Sequence, residues 1–180
     1  MSDEVIIVDY NPAWPMRYEE EKARILAVIG DYLEDIQHVG STSIPGLAAK
    51  PAIDILTVVR DISLVECCIQ PLAVIEYQYQ GERGIPGRHF FRKPVDISKT
   101  GRTHHLHMVE RGHRQQSLQP LFRDYMRRHP EAVQQYEALK RELAVKYSMD
   151  RGAYTEAKGP FIESIICAAV EEALGEYKKE

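Results

Sequence analysis

HVGSTSIPGLAAKPAIDILTVV, residues 38–59, joins a short strand to a turn rich in hydroxyl groups and then to an apolar strand. A glycine after a strand lets the backbone approach a ligand closely, and free amides at a helix start bind phosphate. The turn therefore predicts a phosphate cradle made by Gly40, Ser41, Thr42 and Ser43. A serine-capped helix start without a ligand remains the alternative, because serine is a favoured N-cap residue.

An aspartate interrupts the apolar strand that follows this turn. Asp54 stands between Ile53 and Ile55. A carboxylate on a buried strand is costly unless it is paired or holds a metal ion. We therefore expect Asp54 and the hydroxyl-rich turn to face one site.

This order of elements resembles the start of nucleotidyltransferases of the polymerase-beta type. In that class two carboxylates, two positions apart on one strand, hold divalent metal ions that clamp the attacking and leaving oxygens. Here Leu56 occupies the second position, so Asp54 alone remains. Whether the chain is an enzyme stays open at this point.

A closer resemblance covers nearly the whole chain and is to the GrpB family, a poorly characterised group placed in the nucleotidyltransferase superfamily. The resemblance implies a nucleotidyltransferase-like α+β fold, while the reaction of the family is itself largely inferred. The matching stretches are HVGSTSIPGLAAKPAIDI (38–55), THHLHMVERG (103–112), LFRDYMRRHPEAVQQYEALKREL (121–143) and AYTEAKGPFIESII (153–166).

Hydrophobic periodicity predicts one α+β domain over residues 1–180, with a mixed sheet in residues 1–115 and helices packed on it in residues 116–180. Three helices are expected in the second part, over 118–128, 131–147 and 161–177. The strands are expected at 5–8, 36–39, 52–59, 75–79, 88–92 and 103–109, the fourth and fifth forming a hairpin.

Two histidines extend the candidate site. Alternation along a strand over 103–109 places His105 and His107 on one face, about 7 Å apart. Together with Asp54 they would form a two-histidine, one-carboxylate set for Mg²⁺, Mn²⁺ or Zn²⁺. Imidazole ligands favour the transition metals over Mg²⁺. Contact with a phosphate or base, and plain structural hydrogen bonding, remain alternatives for both histidines.

Basic residues point to an anionic ligand. Residues 83–128 hold eleven Lys or Arg against three Asp or Glu, although the whole chain carries a net charge of −4. Alternation puts Arg88 and Arg92 on one strand face, and Lys50 precedes the Asp54 strand, so all three could contact phosphate. A solvated basic surface is the alternative. The overall acidity argues against binding of duplex nucleic acid.

Tyr154 and Lys158 are four positions apart, which places them on one face of a helix. In a nucleotidyltransferase-like protein the tyrosine could stack on a base and the lysine could meet a triphosphate. Ordinary packing of an amphipathic helix is the alternative.

Composition suggests a cytoplasmic protein without a membrane segment. None of the apolar runs reaches the roughly 20 residues that a span needs, and the acidic N-terminus does not resemble a signal peptide. Three cysteines make no disulfide framework, so we expect them, like Trp14, to serve in packing. The oligomeric state is not encoded in any pattern of the sequence.

Three functions fit these features. The first is metal-dependent transfer of a nucleotidyl group to a small acceptor. The second is binding of a nucleotide or phosphorylated small molecule on the same fold, without two-metal chemistry. The third is metal-dependent hydrolysis of a phosphorylated metabolite.

Overall fold

The computed structural model describes residues 4–94 and 103–177, which contain a mixed five-stranded sheet with helices on both faces. The strand order is β1-β2-β5-β4-β3, in which β2 and β5 are parallel and the other neighbours are antiparallel. The strands are β1 Leu33–Val39, β2 Ile53–Val59, β3 Gln78–Tyr79, β4 Arg88–Lys93 and β5 His104–Glu110.

The helices fall into an N-terminal pair and a C-terminal group. Within the described ranges, none of them is long and apolar enough to cross a membrane. Their bounds are α1 Trp14–Ile29, α2 Val65–Val74, α3 Arg114–Arg128, α4 Pro130–Lys146, α5 Arg151–Ala157 and α6 Gly159–Tyr177. The expected α+β class with a mixed sheet is confirmed.

One face of the sheet packs against α1 and α2. Ile53 and Ile55 of β2 and Leu106 of β5 form a single buried cluster with Trp14 and Leu72 of these helices. Each such side chain contributes about 1.5–3 kcal/mol on burial. We call this side the closed face. It holds the main core, and the packing role expected for Trp14 is confirmed by its 1% exposure.

The opposite face meets the C-terminal helices only in part. Phe122 of α3, Tyr136 of α4 and Ile165 of α6 pack with Ile44 and Leu47 from the segment between β1 and β2. These helices therefore rest on the turn after β1 and leave a cleft over β2, β4 and β5. We call this side the cleft face.

Several sequence expectations need correction. Residues 5–8 do not form a strand, because the Val5 amide bonds to the Ser148 carbonyl while Val8 pairs with Ala49. The described C-terminal part contains four helices rather than three, and the first begins at residue 114. Of the cysteines expected in packing, only Cys68 is buried, whereas Cys67 and Cys167 are exposed.

Candidate functional site

The cleft has a volume of about 860 Å³ and lies between the cleft face, the turn after β1, and helices α4 and α5. Ser41, Thr42, Asp54, His105 and His107 line it. Six cationic side chains also line it, against the two acids Asp54 and Glu156: Lys50, Arg83, Arg88, Lys140, Arg151 and Lys158. The cleft is therefore strongly basic in a chain of net charge −4.

The turn at the cleft floor depends on Gly40. Its φ of +69° lies in the left-handed region, and a Cβ there would stand 2.5 Å from Oδ2 of Asp54. A residue with a side chain would meet both backbone strain and a clash with the carboxylate. Glycine thus brings the turn directly against β2.

The hydroxyls of this turn have different partners. The Ser43 hydroxyl and amide both donate to the Gly40 carbonyl, at 2.6 and 3.2 Å, and Ser43 does not line the cleft. The Thr42 hydroxyl lies 3.0 Å from Nε2 of His38. Ser41 is left to face the cleft, so part of the motif shapes a short 3₁₀ helix and part borders the candidate site.

Asp54 and the two histidines meet because β2 and β5 pair in parallel. Asp54 stands opposite His105, and Leu56 opposite His107. Oδ1 of Asp54 lies 2.9 Å from Nδ1 of His105 and 3.6 Å from Nε2 of His107. A carboxylate only accepts hydrogen bonds, so Nδ1 of His105 carries the proton that it donates.

These contacts affect the pKa values of Asp54 and His107. Burial raises the pKa of Asp54, but the hydrogen bonds from His105 and His107 outweigh it and hold that pKa well below the usual range. Burial lowers the pKa of His107 below 6.5, against the opposing effect of Asp54. Near neutral pH the set therefore contains an ionised carboxylate beside a neutral His107.

In this structure Asp54 and His105 contact each other through a hydrogen bond. Nδ1 of His105 gives its proton to Asp54, so this nitrogen has no lone pair for a metal ion. The other nitrogens, Nε2 of His105 and Nδ1 of His107, are buried and find no hydrogen-bond partner among the described residues. In residues 4–94 and 103–177, no three His, Cys, Asp or Glu side chains form a group able to hold a metal ion. The arrangement is a hydrogen-bonded one.

Two lysines in the cleft are buried enough to change their ionisation. Burial lowers the pKa of Lys140 to about 7 and that of Lys158 to about 8. Lys140 is 2% exposed and donates to the carbonyl of Ala48. Lys140 was given no predicted role. It nevertheless shares a buried helical stripe with Tyr136 and Leu143, and a lysine on an apolar stripe is a usable signal in sequence.

Tyr154 supports the lysines of the cleft. It is 1% exposed, and the ammonium groups of Lys158 and Lys50 lie 4.5 and 4.6 Å from its ring centroid. Lys158 follows the end of α5 rather than lying within it. Such cation–π contacts orient both ammonium groups, and the ring itself is covered rather than offered to a base.

The two arginines of β4 part ways. Arg88 lines the cleft and donates to the carbonyls of Glu82 and Arg83. Arg92 instead donates two hydrogen bonds to Oε1 of Gln78 in β3, at 3.0 and 2.7 Å, and lies outside the cleft. Both arginines project from the same face of β4. Arg92 lies outside the cleft because it is four positions further along the strand.

Comparison with known proteins gives one consistent result. The family described as GrpB protein matches residues 4–167. The UPF0157 protein YqkA of Bacillus subtilis is 38% identical over 97% of this chain, which spans 48% of YqkA. The glutamate-rich protein GrpB of Alkalihalophilus pseudofirmus is 36% identical over 91% of this chain and 94% of its own length. The crystal structure of conserved protein GrpB from Enterococcus faecalis superposes with a TM-score of 0.84 at 34% identity, covering 94% of this chain and 99% of that one.

Proposed function

The chain belongs to the GrpB family, and from that premise we propose that it binds a nucleotide or another phosphorylated small molecule in the basic cleft. The observation that carries the proposal is the gathering of six cationic side chains over one cleft of an acidic chain. Its volume of about 860 Å³ falls within the range of roughly 300–1,000 Å³ typical of small-molecule sites.

The buried lysines support an anionic ligand in particular. Folding takes Lys140 and Lys158 out of water, which is why their pKa values are lowered to about 7 and 8. No salt bridge joins either lysine to a carboxylate of the described residues. A phosphate group placed between them would raise both pKa values and offset this desolvation, since an opposite charge nearby favours the charged form.

The same site supports binding rather than two-metal chemistry. Leu56, at the position where a second carboxylate would stand, is fully buried in an apolar cluster with Val39, Val58 and Val109. Asp54 is engaged with His105. Both features favour a binding protein over the nucleotidyl transfer or phosphate hydrolysis that metal ligands here would serve.

Titration calorimetry with inorganic pyrophosphate and with ATP, in buffer without divalent metal, tests the proposal. Wild type should bind, and Lys158→Met should bind roughly 10- to 150-fold more weakly, the value of a hydrogen bond to a charged group of about 1.5–3 kcal/mol. Lys146→Met removes an exposed lysine at the far end of α4 and is the matched control, expected within twofold of wild type. Equal losses in both variants, or no binding by wild type, would contradict a built site.

A further inference from the structure

A second cavity, of about 590 Å³, adjoins the basic cleft. It lies between α3 and α6, with one wall made of apolar side chains. These are Leu118, Phe122, Ile162 and Ile166. Its size and lining are those of a site for a small molecule with an apolar body.

Three residues line both cavities: Ser41, Asp54 and Lys158. The histidines that contact Oδ1 of Asp54 line only the basic cleft, whereas Gly40 lines only the second cavity. Oδ2 of Asp54 lies on the Gly40 side, where a Cβ would stand 2.5 Å from it. Oδ1 of Asp54 is thus the oxygen nearer the histidines of the basic cleft, and Oδ2 is the oxygen nearer Gly40 of the second cavity.

The Asp54 carboxylate restricts which ligand can bind in the second cavity. An ionised carboxylate accepts hydrogen bonds and donates none, so the group that meets Oδ2 must be a donor. A hydroxyl or an amine satisfies this condition. A second phosphate suits this cavity less well than the basic cleft, because Lys158 and Arg114 are balanced here by Asp54 and Glu163, whereas six cationic side chains line the cleft.

We propose that the second cavity binds a small molecule with an aromatic or branched aliphatic body and a hydroxyl or amine end, held by Oδ2 of Asp54. This inference rests on the proposed function, because the phosphorylated ligand of the basic cleft would then lie on the other side of the same carboxylate. Two ligands would meet at Ser41, Asp54 and Lys158.

Cys167 provides a way to close the second cavity alone. This exposed cysteine lines the second cavity and does not line the basic cleft. In a Cys67→Ser variant, N-ethylmaleimide should react at Cys167, since Cys68 is buried. The converse variant, Cys167→Ser alkylated at Cys67, carries the same adduct on α2 and is the matched control.

The probe is N-phenyl-1-naphthylamine, a neutral aromatic amine whose fluorescence rises in apolar surroundings. Saturable binding should occur in wild type and in the control, and alkylation of Cys167 should weaken it at least fivefold, while pyrophosphate affinity stays within twofold. Absence of saturable probe binding, or equal probe affinity after alkylation at either cysteine, would overturn the inference. Loss of pyrophosphate binding with retained, alkylation-sensitive probe binding would overturn the proposed function instead.

Discussion

The lysines on the two faces of the sheet differ in whether a carboxylate of the fold neutralises their charge. On the closed face, Lys93 of β4 donates to both carboxylate oxygens of Glu21, at 2.9 and 3.0 Å, and both side chains are nearly inaccessible. On the cleft face, Lys140 is buried and Lys158 is half-buried, yet no described carboxylate forms a salt bridge with either. The Lys93 charge is paired within the fold, whereas the absence of a salt bridge to Lys140 and Lys158 among the described residues is the basis for proposing an anionic ligand there.

The largest expected effect breaks the closed-face pair. Glu21→Gln leaves the Lys93 ammonium buried without its counter-charge, and we expect a loss of about 3–5 kcal/mol in the free energy of unfolding, measured with urea. Glu19→Gln, which removes only an exposed ion pair with Lys22 on the same helix, should cost less than about 1 kcal/mol. Comparable losses in the two variants would show that the closed-face pair has no architectural role.

Asp54→Asn tests a charge on the cleft face that is paired within the fold. The variant removes the charge that accepts from Nδ1 of His105, and we expect a loss of about 1–3 kcal/mol at pH 7 without metal. Because the folded state lowers the pKa of Asp54, its contribution is present above the ordinary value of 3.8 and is lost as the pH falls below it. The stability difference between wild type and variant should therefore narrow in acid.

Melting of the same two proteins with Mn²⁺ sharpens the result. Mn²⁺ should leave the melting temperature of both unchanged, because Asp54 and His105 satisfy each other. Stabilisation of wild type alone by Mn²⁺ would identify Asp54 as a metal ligand and would favour nucleotidyl transfer over binding without catalysis.

The smallest expected effect is a pH dependence of ligand binding. In the proposed site the cationic forms of Lys140 and Lys158 contact the phosphate. With pKa values of about 7 and 8, Lys158 and the remaining protonated fraction of Lys140 lose their protons between pH 7.5 and 9.5. ATP keeps its charge over this range, since its last phosphate proton leaves near pH 6. Its affinity should fall about tenfold, or 1.4 kcal/mol.

The stability of the free protein should change in the opposite direction. The unfolded chain binds more protons than the folded one between these lowered pKa values and the ordinary 10.5, so the free energy of unfolding rises with pH.

Lys158→Arg keeps its charge throughout and should flatten much of the pH profile of ATP affinity. An unchanged profile in that variant would remove Lys158 from the site.

Residues whose environment follows from strand alternation were predictable from sequence. Alternation predicted that His105 and His107 share a strand face, because period-two patterning leaves little freedom. The parallel register that places Asp54 opposite His105 was not predicted and comes from the structure. Lys140 escaped prediction because its burial depends on the carbonyl of Ala48, which lies 92 positions away in the chain. The second cavity escaped for the same reason, since its walls come from helices that periodicity cannot orient relative to one another.

Parallel pairing of β2 with β5 also has a consequence for the folding of the chain. Asp54 and His105 are 51 positions apart, and a parallel neighbour cannot be reached by a tight turn. Contacts of such sequence separation form late, because a long loop must close before they give any stabilisation. The main core and the site share β5, since Leu106 packs in that core while His105 meets Asp54, so both are complete only once β5 has paired with β2. Chemistry-bearing residues come together only when the second half of the chain has arrived.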